Sequence, residues 1–562
     1  MSWKLKEKLR ALLRQEAGTV VKPWGGKISV ALIYPNEYHL GMANLGFQAV
    51  YRLINASSLA VCERAFLPDK DDLKEYRRSG TALMTLENQR YLHEFDFIAF
   101  SLSFENDYPN ILTLLDLGKV PLRQAARKEN HPLIFAGGIT TFLNPEPLAE
   151  FMDFFALGEA EELLPAVLEL AAAARQQGFQ RSEFLARVGR TPGFYVPHFY
   201  SVSYHEDGTI AASVPQDGMP ARVQRRWTPD VDASPAQSLI DCPAMEFGDM
   251  FLTEISRGCP YDCRFCASGW VYRPARARSF SSLQPGIEEG LNRGAKIGMV
   301  GTAVADHPEI AALCSFIRER GGTLSVSSLR ANRIRPELLK ALQGSGHQSV
   351  TIAPETGSER LRRVVKKRMT DEEIIEAATT IVAHGIPHLR LYFLIGLPTE
   401  TMEDSEAIVA LTKRIQHAIM SSRKSGSIPG TITLCLSPFV PKPFTPFQWA
   451  PFESLSTIEA RIKQIRNGLR KERHVQVTAD LPKWSYIQAL LSRGDRRVAK
   501  ILMAVHEAQG NWRRALKETD LNPDFYVYRE RTQHELFPWD FIDHGVSKEK
   551  LFEEYQQALR VG

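Results

Sequence analysis

Three cysteines stand in one short loop, the run RGCPYDCRFC at 257–266, at spacings of four and three: Cys259, Cys263 and Cys266. Thiolates converging this closely suit a soft metal or an iron-sulfur centre. A 4Fe-4S cluster has four irons, so three thiolates leave one iron open to another ligand. A zinc knuckle is the structural alternative, because a Cys pair separated by two residues is a common half-site. It is the poorer match: a structural zinc is normally closed by four protein ligands, and neither a second such pair nor an obvious neighbouring histidine completes the set.

The elements that must position this loop show in the hydropathy pattern. From residue 28 short apolar runs alternate with helical stretches: ISVALIYP, MANLGFQAVYRLIN, DFIAFSLSF, PLIFAGGI and DFFALGEAEELLPAVLEL. Buried strands alternating with helices predict a parallel sheet covered on both faces. Residues 1–194 therefore read as a doubly wound, Rossmann-like domain, preceded by a helix that packs Leu5, Leu9, Leu12 and Leu13 on it. Its ligand turns would be YPNEYHLGM, SLSFEND, AGGITTF and LGEAEE, at the carboxyl ends of the strands.

Residues 195–248 read as a connector with a β-hairpin around Asp207-Gly208. Residues 249–455 carry a second strand series, MFLTEIS, KIGMVG, TLSVSSL, SVTIAPE, HLRLYFLIG and TITLCLSPF. Six strand-helix repeats predict a partial (β/α)6 barrel, whose active site gathers at the C-terminal strand ends. The cysteine loop follows the first of these strands directly. Residues 456–562 read as mostly helical, and the chain as a whole as α/β.

Bulk composition narrows the function classes. A net charge of +4 over 562 residues excludes a polycation built to coat nucleic acid. Seven scattered or clustered cysteines are no disulfide framework and fit a reducing cytoplasm. No apolar run reaches spanning length, and the basic amphipathic N-terminus lacks the features of a signal peptide. Arg493, Arg496, Arg497, Lys500, Arg513 and Arg514 form a basic stretch that reads either as a solvated helix face or as a surface for RNA or another anion.

The CxxxCxxC loop, with GTAVADHP at 301–308, SVSSLRANRI at 325–334, APETGSERLRR at 353–363 and YFLIGLPTET at 392–401, resembles the radical S-adenosylmethionine (SAM) superfamily over most of residues 250–450. The resemblance implies that the open iron takes the amino and carboxylate groups of SAM. An electron from the cluster then breaks the sulfonium bond to give a 5′-deoxyadenosyl radical. It also implies a small electron donor such as flavodoxin or ferredoxin. By the same resemblance the backbone at Phe265 approaches adenine, Gly301 and Thr302 face the methionine moiety, and Ser327 and Arg330 face the carboxylate or ribose. Glu355 would meet the ribose or amine and Gly396-Leu397 the adenine. An Arg fork suits a carboxylate and a Glu accepts from hydroxyls or ammonium. The family's GGE form is absent. Glu355 reads equally as a helix N-terminal carboxylate, and Ser327 and Arg330 as members of a structural polar network.

A doubly wound domain before such a barrel resembles the cobalamin-binding group of that superfamily, with Gly137, Gly138, Gly158 and Glu159 at the turns where backbone would approach the corrinoid. The alternative is ordinary turn glycines. The DxHxxG sequence of some cobalamin proteins is absent; the first turn reads NEYHLGM, with His39 the only suggestive histidine. SPFVPKPFTPFQW at 437–449 and LFPWDFIDHGVSK resemble one subgroup of these proteins; Phe444, Phe447 and Trp449 read as substrate channel or as packing against the tail. The leading expectation is cobalamin-dependent methyl transfer or a related radical reaction on a small molecule or RNA. The alternatives are a cobalamin-free RNA-modifying enzyme and a non-catalytic, metal-stabilised binding protein.

Overall fold

A computed structural model describes residues 2–422 and 430–562. The N-terminal sheet comprises β1 (Ile28–Tyr34), β2 (Ala60–Phe66), β3 (Phe97–Ser101), β4 (Leu133–Gly137), β5 (Phe154–Ala156) and β6 (Phe194–Tyr195). Their spatial order is β2-β1-β3-β4-β5-β6, parallel except for β6, which pairs antiparallel with β5. Every residue of β1 is buried, as expected of a strand covered on both faces. The strand order reverses between β1 and β3, and at such a switch point the following turns diverge and leave a crevice.

The hairpin expected in the connector is present, Tyr200–Tyr204 against Ile210–Pro215. Beyond it run the barrel strands Met250–Glu254, Lys296–Val300, Leu324–Val326, Ser349–Glu355, His388–Ile395 and Ile432–Pro438. They form a three-stranded and a four-stranded parallel sheet, joined by a bridge from Leu329 to Ile352. The fourth place in the second sheet belongs to Val475–Ala479, a seventh parallel strand inside the segment expected to be helical. Its alternation VQVTA is short and half exposed, so the helices on either side hide it in the sequence pattern.

In the fourth, fifth and sixth barrel strands burial alternates residue by residue. One face packs on helices such as Asp371–Ala383 and Met402–Ser422, and the other lines the lumen. The helix Asp371–Ala383 is started by a reciprocal capping box between Thr370 and Glu373. One hydrophobic core runs from the inner face of the N-terminal sheet through the barrel into the tail, and a second fills the outer face of that sheet. The tail ties both domains together. Ile542–Asp543 pairs with Val223–Gln224 of the connector, Arg496 meets Glu146 at 2.8 Å, and Asn144 donates to the Gly494 carbonyl at 2.7 Å. No described helix is long and apolar enough to cross a membrane.

Candidate active site

A cavity of about 540 Å³ lies between the two domains, where both sets of parallel strands end. From the N-terminal domain come Ala99 to Ser101 of β3, Gly137 of β4, Ala156 of β5 and the apolar face of the helix Leu45–Ala56, through Leu45, Ala49, Val50 and Leu53. The barrel contributes Glu254, Ser256, Arg257, Gly258, Val300, Gly301 and Thr302. The crevice at the switch point and the barrel mouth are thus one space, and the cysteine loop begins at its edge.

The expected glycines divide. A Cβ on Gly137 would meet nothing nearer than Ala156 at 3.8 Å, so this residue keeps the cavity open. Gly138 and Gly158 line the cavity as well and also serve the fold. Both have positive φ, and a Cβ would lie 2.3 Å from the Leu102 carbonyl oxygen or 2.1 Å from that of Arg226. Their want of a side chain is required by backbone packing, whatever the cavity holds. Glu159 lines the cavity too, and its buried carboxylate is held by Arg276 at 2.7 Å, Arg257 at 2.8 Å and Arg225 at 3.4 Å. Burial disfavours its charge, but the Arg276 hydrogen bond and the Arg257 and Arg276 charges hold its pKa below the ordinary value. His39 lies outside the cavity; it lines a separate space of about 260 Å³ under the N-terminal helix. Among the described residues no histidine lines the inter-domain cavity.

In the cysteine loop all three thiols are free. Each lies in another's electrostatic field: Cys259 in that of Cys263, Cys263 in that of Cys266, and Cys266 in that of Cys259. Burial pushes all three thiols up, while backbone N–H groups of Tyr261 and Ser268 favour the thiolates of Cys259 and Cys266. A bound cationic centre would deprotonate them outright. Among the described residues no group of three or more His, Cys, Asp and Glu is arranged around a single metal ion. A four-iron cluster asks only for thiolates spaced around it, and three mutually coupled thiols with amide donors fit that demand.

Charged residues ring the loop. Arg330 stacks on Tyr261 at 4.0 Å, and its charge reaches Cys259 and Cys263. Glu355 pairs with Lys367 at 2.8 Å, and both act on Cys263. Glu355 is the last residue of the fourth barrel strand, at φ 68°, while the next helix starts only at Glu359. The helix N-terminal reading therefore fails, and a non-glycine residue in the left-handed region costs roughly 1–3 kcal/mol, a strain that recurs at functional sites. Thr302 donates to the Gly258 carbonyl at 2.5 Å, and Gly301 leaves room for the Ser256 hydroxyl. Phe265 packs, partly buried, on the core.

Two expected contacts are already spent. The amides of Gly396 and Leu397 both donate to Glu400, the second at 3.0 Å. Burial pushes that carboxyl up to about 7 against the charge of Arg461. Leu397 itself is buried, so neither amide is free to donate to adenine. Ser327 is exposed and lines a separate hollow of about 30 Å³ with Val326 and Leu329, apart from the thiols.

The basic stretch is largely consumed inside the molecule. Arg493 is buried against carbonyls of Ala450 and Val527, and Arg496, Arg497, Lys500 and Arg514 pair with Glu146, Asp495, Asp520 and Glu518. Phe444, Phe447 and Trp449 are buried, Trp449 stacking on Tyr555 at 6.0 Å, so this segment is a platform for the last helix. Arg264, Lys366 and Glu554, which grip the cysteine loop, went unnoticed in the sequence. The buried arginine between Cys263 and Cys266 was the one available signal.

Family models described as "Radical SAM proteins, N-terminal" and "Radical SAM superfamily" match residues 46–197 and 253–412. Uncharacterized protein MJ0966 of Methanocaldococcus jannaschii is 31% identical over 480 residues, covering 84% of this chain and 90% of that protein. Uncharacterized methyltransferase PH0819 of Pyrococcus horikoshii is 26% identical over 242 residues, 41% of this chain and 50% of that one. Among solved structures, the radical S-adenosylmethionine methyltransferase TsrM from Kitasatospora setae, with cobalamin and a 4Fe-4S cluster bound, aligns with a TM-score of 0.51 at 13% identity. That alignment covers 88% of this chain and 100% of TsrM, and the likeness is one of fold.

Proposed function

This chain belongs to the radical SAM superfamily, and on that premise we propose that it is a cobalamin-dependent radical SAM methyltransferase acting on a small molecule. The observation that carries this reading is the single cavity joining the strand ends of the doubly wound domain to the turn where the cysteines begin. When bound, the cluster would supply the electron that cleaves SAM, and the corrinoid would carry the methyl group.

The protein's own part is binding, orientation and exclusion of water. Cys259, Cys263 and Cys266 would hold the cluster. Arg330 and Glu355, beside the thiols, would take the carboxylate and amino groups of SAM. Gly137 leaves the N-terminal wall clear for a broad flat ligand, and Leu45, Ala49, Val50 and Leu53 keep that wall apolar. Among the described residues no histidine lines the space, so none there would offer the corrinoid a nitrogen ligand. An RNA substrate has less support, because the basic stretch pairs internally. The electron would come from a small carrier such as flavodoxin or ferredoxin, in the cytoplasm.

Anaerobic purification followed by iron, sulfide and corrinoid analysis tests the reading. With dithionite, SAM should yield 5′-deoxyadenosine or S-adenosylhomocysteine, and metabolite pools with and without the gene should differ by a methylated species. Zinc in place of iron would overturn it, and iron without retained corrinoid would reduce it to a cobalamin-free radical enzyme.

A further inference from the structure

We propose that Glu554, on the last helix of the chain, is a positioning residue for the cluster loop, acting through Arg264 and Lys366. Arg264 sits between Cys263 and Cys266 and is buried. Its Nε meets Glu554 at 3.0 Å, its Nη1 donates to the Val364 carbonyl at 3.0 Å, and its backbone N–H donates to the Val365 carbonyl at 3.0 Å. Lys366 bridges Asp262 and Glu554, each at 2.7 Å. The two polar residues flanking Cys263, one acidic and one basic, are thus both clamped on an element almost 300 residues away in the chain.

The clamp has a firm base. Its helix, Lys548–Val561, is seated on Trp449 through Phe552 at 5.1 Å and Tyr555 at 6.0 Å. Its charges balance: Asp262 and Glu554 against Arg264 and Lys366. Glu554 and Arg264 lie in a low-dielectric setting, where an unbalanced charge is felt by its neighbours far more than in water. The potential of an iron-sulfur centre responds to net charge, to hydrogen bonds to its sulfurs and to solvent exposure.

The inference rests on the cluster reading above and is tested on the reconstituted full chain by iron content and by potentiometric titration followed by electron resonance. Glu554→Gln leaves an uncompensated positive charge and should shift the cluster potential upward. Lys366→Gln leaves a negative one and should shift it downward. Glu554→Asp and the exposed Glu553→Gln should stay near the wild type. Charge alone moves the two variants in opposite directions; loss of the clamp adds a lowered iron content or broadened resonance in Glu554→Gln that Glu554→Asp does not show. Wild-type iron content, line shape and potential in both charge variants would overturn the proposal. If Glu554→Gln fails to retain iron, Lys366→Gln decides alone: a lowered potential supports the clamp and an unchanged one overturns it. A wild type that takes up no iron would instead defeat the cluster reading itself, and the clamp with it.

Discussion

Glu159 and Arg276 meet in a two-point ion pair, at 2.7 and 3.0 Å, that joins the turn after β5 to the base of the cysteine loop. Arg276-Ala277 pairs antiparallel with Ser256-Arg257, closing the chain segment that carries the three thiols. Arg257, on the opposite side of that closure, reaches the same carboxylate at 2.8 Å. One buried acidic side chain therefore sets where the barrel's loop stands relative to the N-terminal domain.

Glu159→Gln should cost about 3 kcal/mol of stability, the usual order for breaking a buried pair and stranding its partners. Denaturant unfolding at neutral pH measures this. The pKa of Glu159 lies below its ordinary 4.5 in the folded protein. Its stabilisation is therefore complete above about that pH and lost as pH falls through the depressed value. Melting temperature should consequently drop less steeply on acidification in Glu159→Gln than in the wild type.

Gly137→Val and Gly138→Ala should part company. At Gly137 the new Cβ meets nothing nearer than 3.8 Å, so the variant should fold and lose retained corrinoid. At Gly138, φ 109° and a Leu102 carbonyl oxygen 2.3 Å from the new Cβ should prevent stable folding. Circular dichroism and corrinoid absorbance together separate the two; equal corrinoid retention in Gly137→Val would remove that residue from the site.

Replacing any one of Cys259, Cys263 and Cys266 by Ala should abolish the visible absorbance and electron-resonance signal of the cluster. Replacing Cys62 or Cys314, buried in the cores away from the loop, should leave both intact. Survival of the signal in any of the three loop variants would break the ligand assignment.

Glu355→Ala should weaken SAM binding roughly tenfold to hundredfold, the range for losing a charge-assisted hydrogen bond, with iron content unchanged. Calorimetric titration of the anaerobic protein would show it. Wild-type affinity would return Glu355 to a purely structural role beside Lys367.

His39→Ala should leave the cobalt(II) electron-resonance spectrum of the reconstituted protein unaltered and free of nitrogen splitting, because His39 lines another space. Nitrogen splitting that vanishes in the variant would make His39 a lower ligand.

The sequence by itself determined the class of chemistry and the order of the elements. Local spacing decides how close Cys259, Cys263 and Cys266 stand, and strand and helix periodicities are properties of a few consecutive residues. So the doubly wound domain, the hairpin at Asp207-Gly208 and the first six barrel strands could all be read. Tertiary structure alone decided which charged groups face which. That Leu102 and Arg226 press against Gly138 and Gly158 is set by packing, not by local sequence. The arginines that close on Glu159 come from 66 to 117 residues away. The short strand Val475–Ala479 drew its identity from pairing with the sixth barrel strand, and Glu554 carries no local mark of its tie to Arg264, 290 residues earlier. Pairings over such distances are set by how the elements pack, and electrostatic complementarity arises only once they are packed.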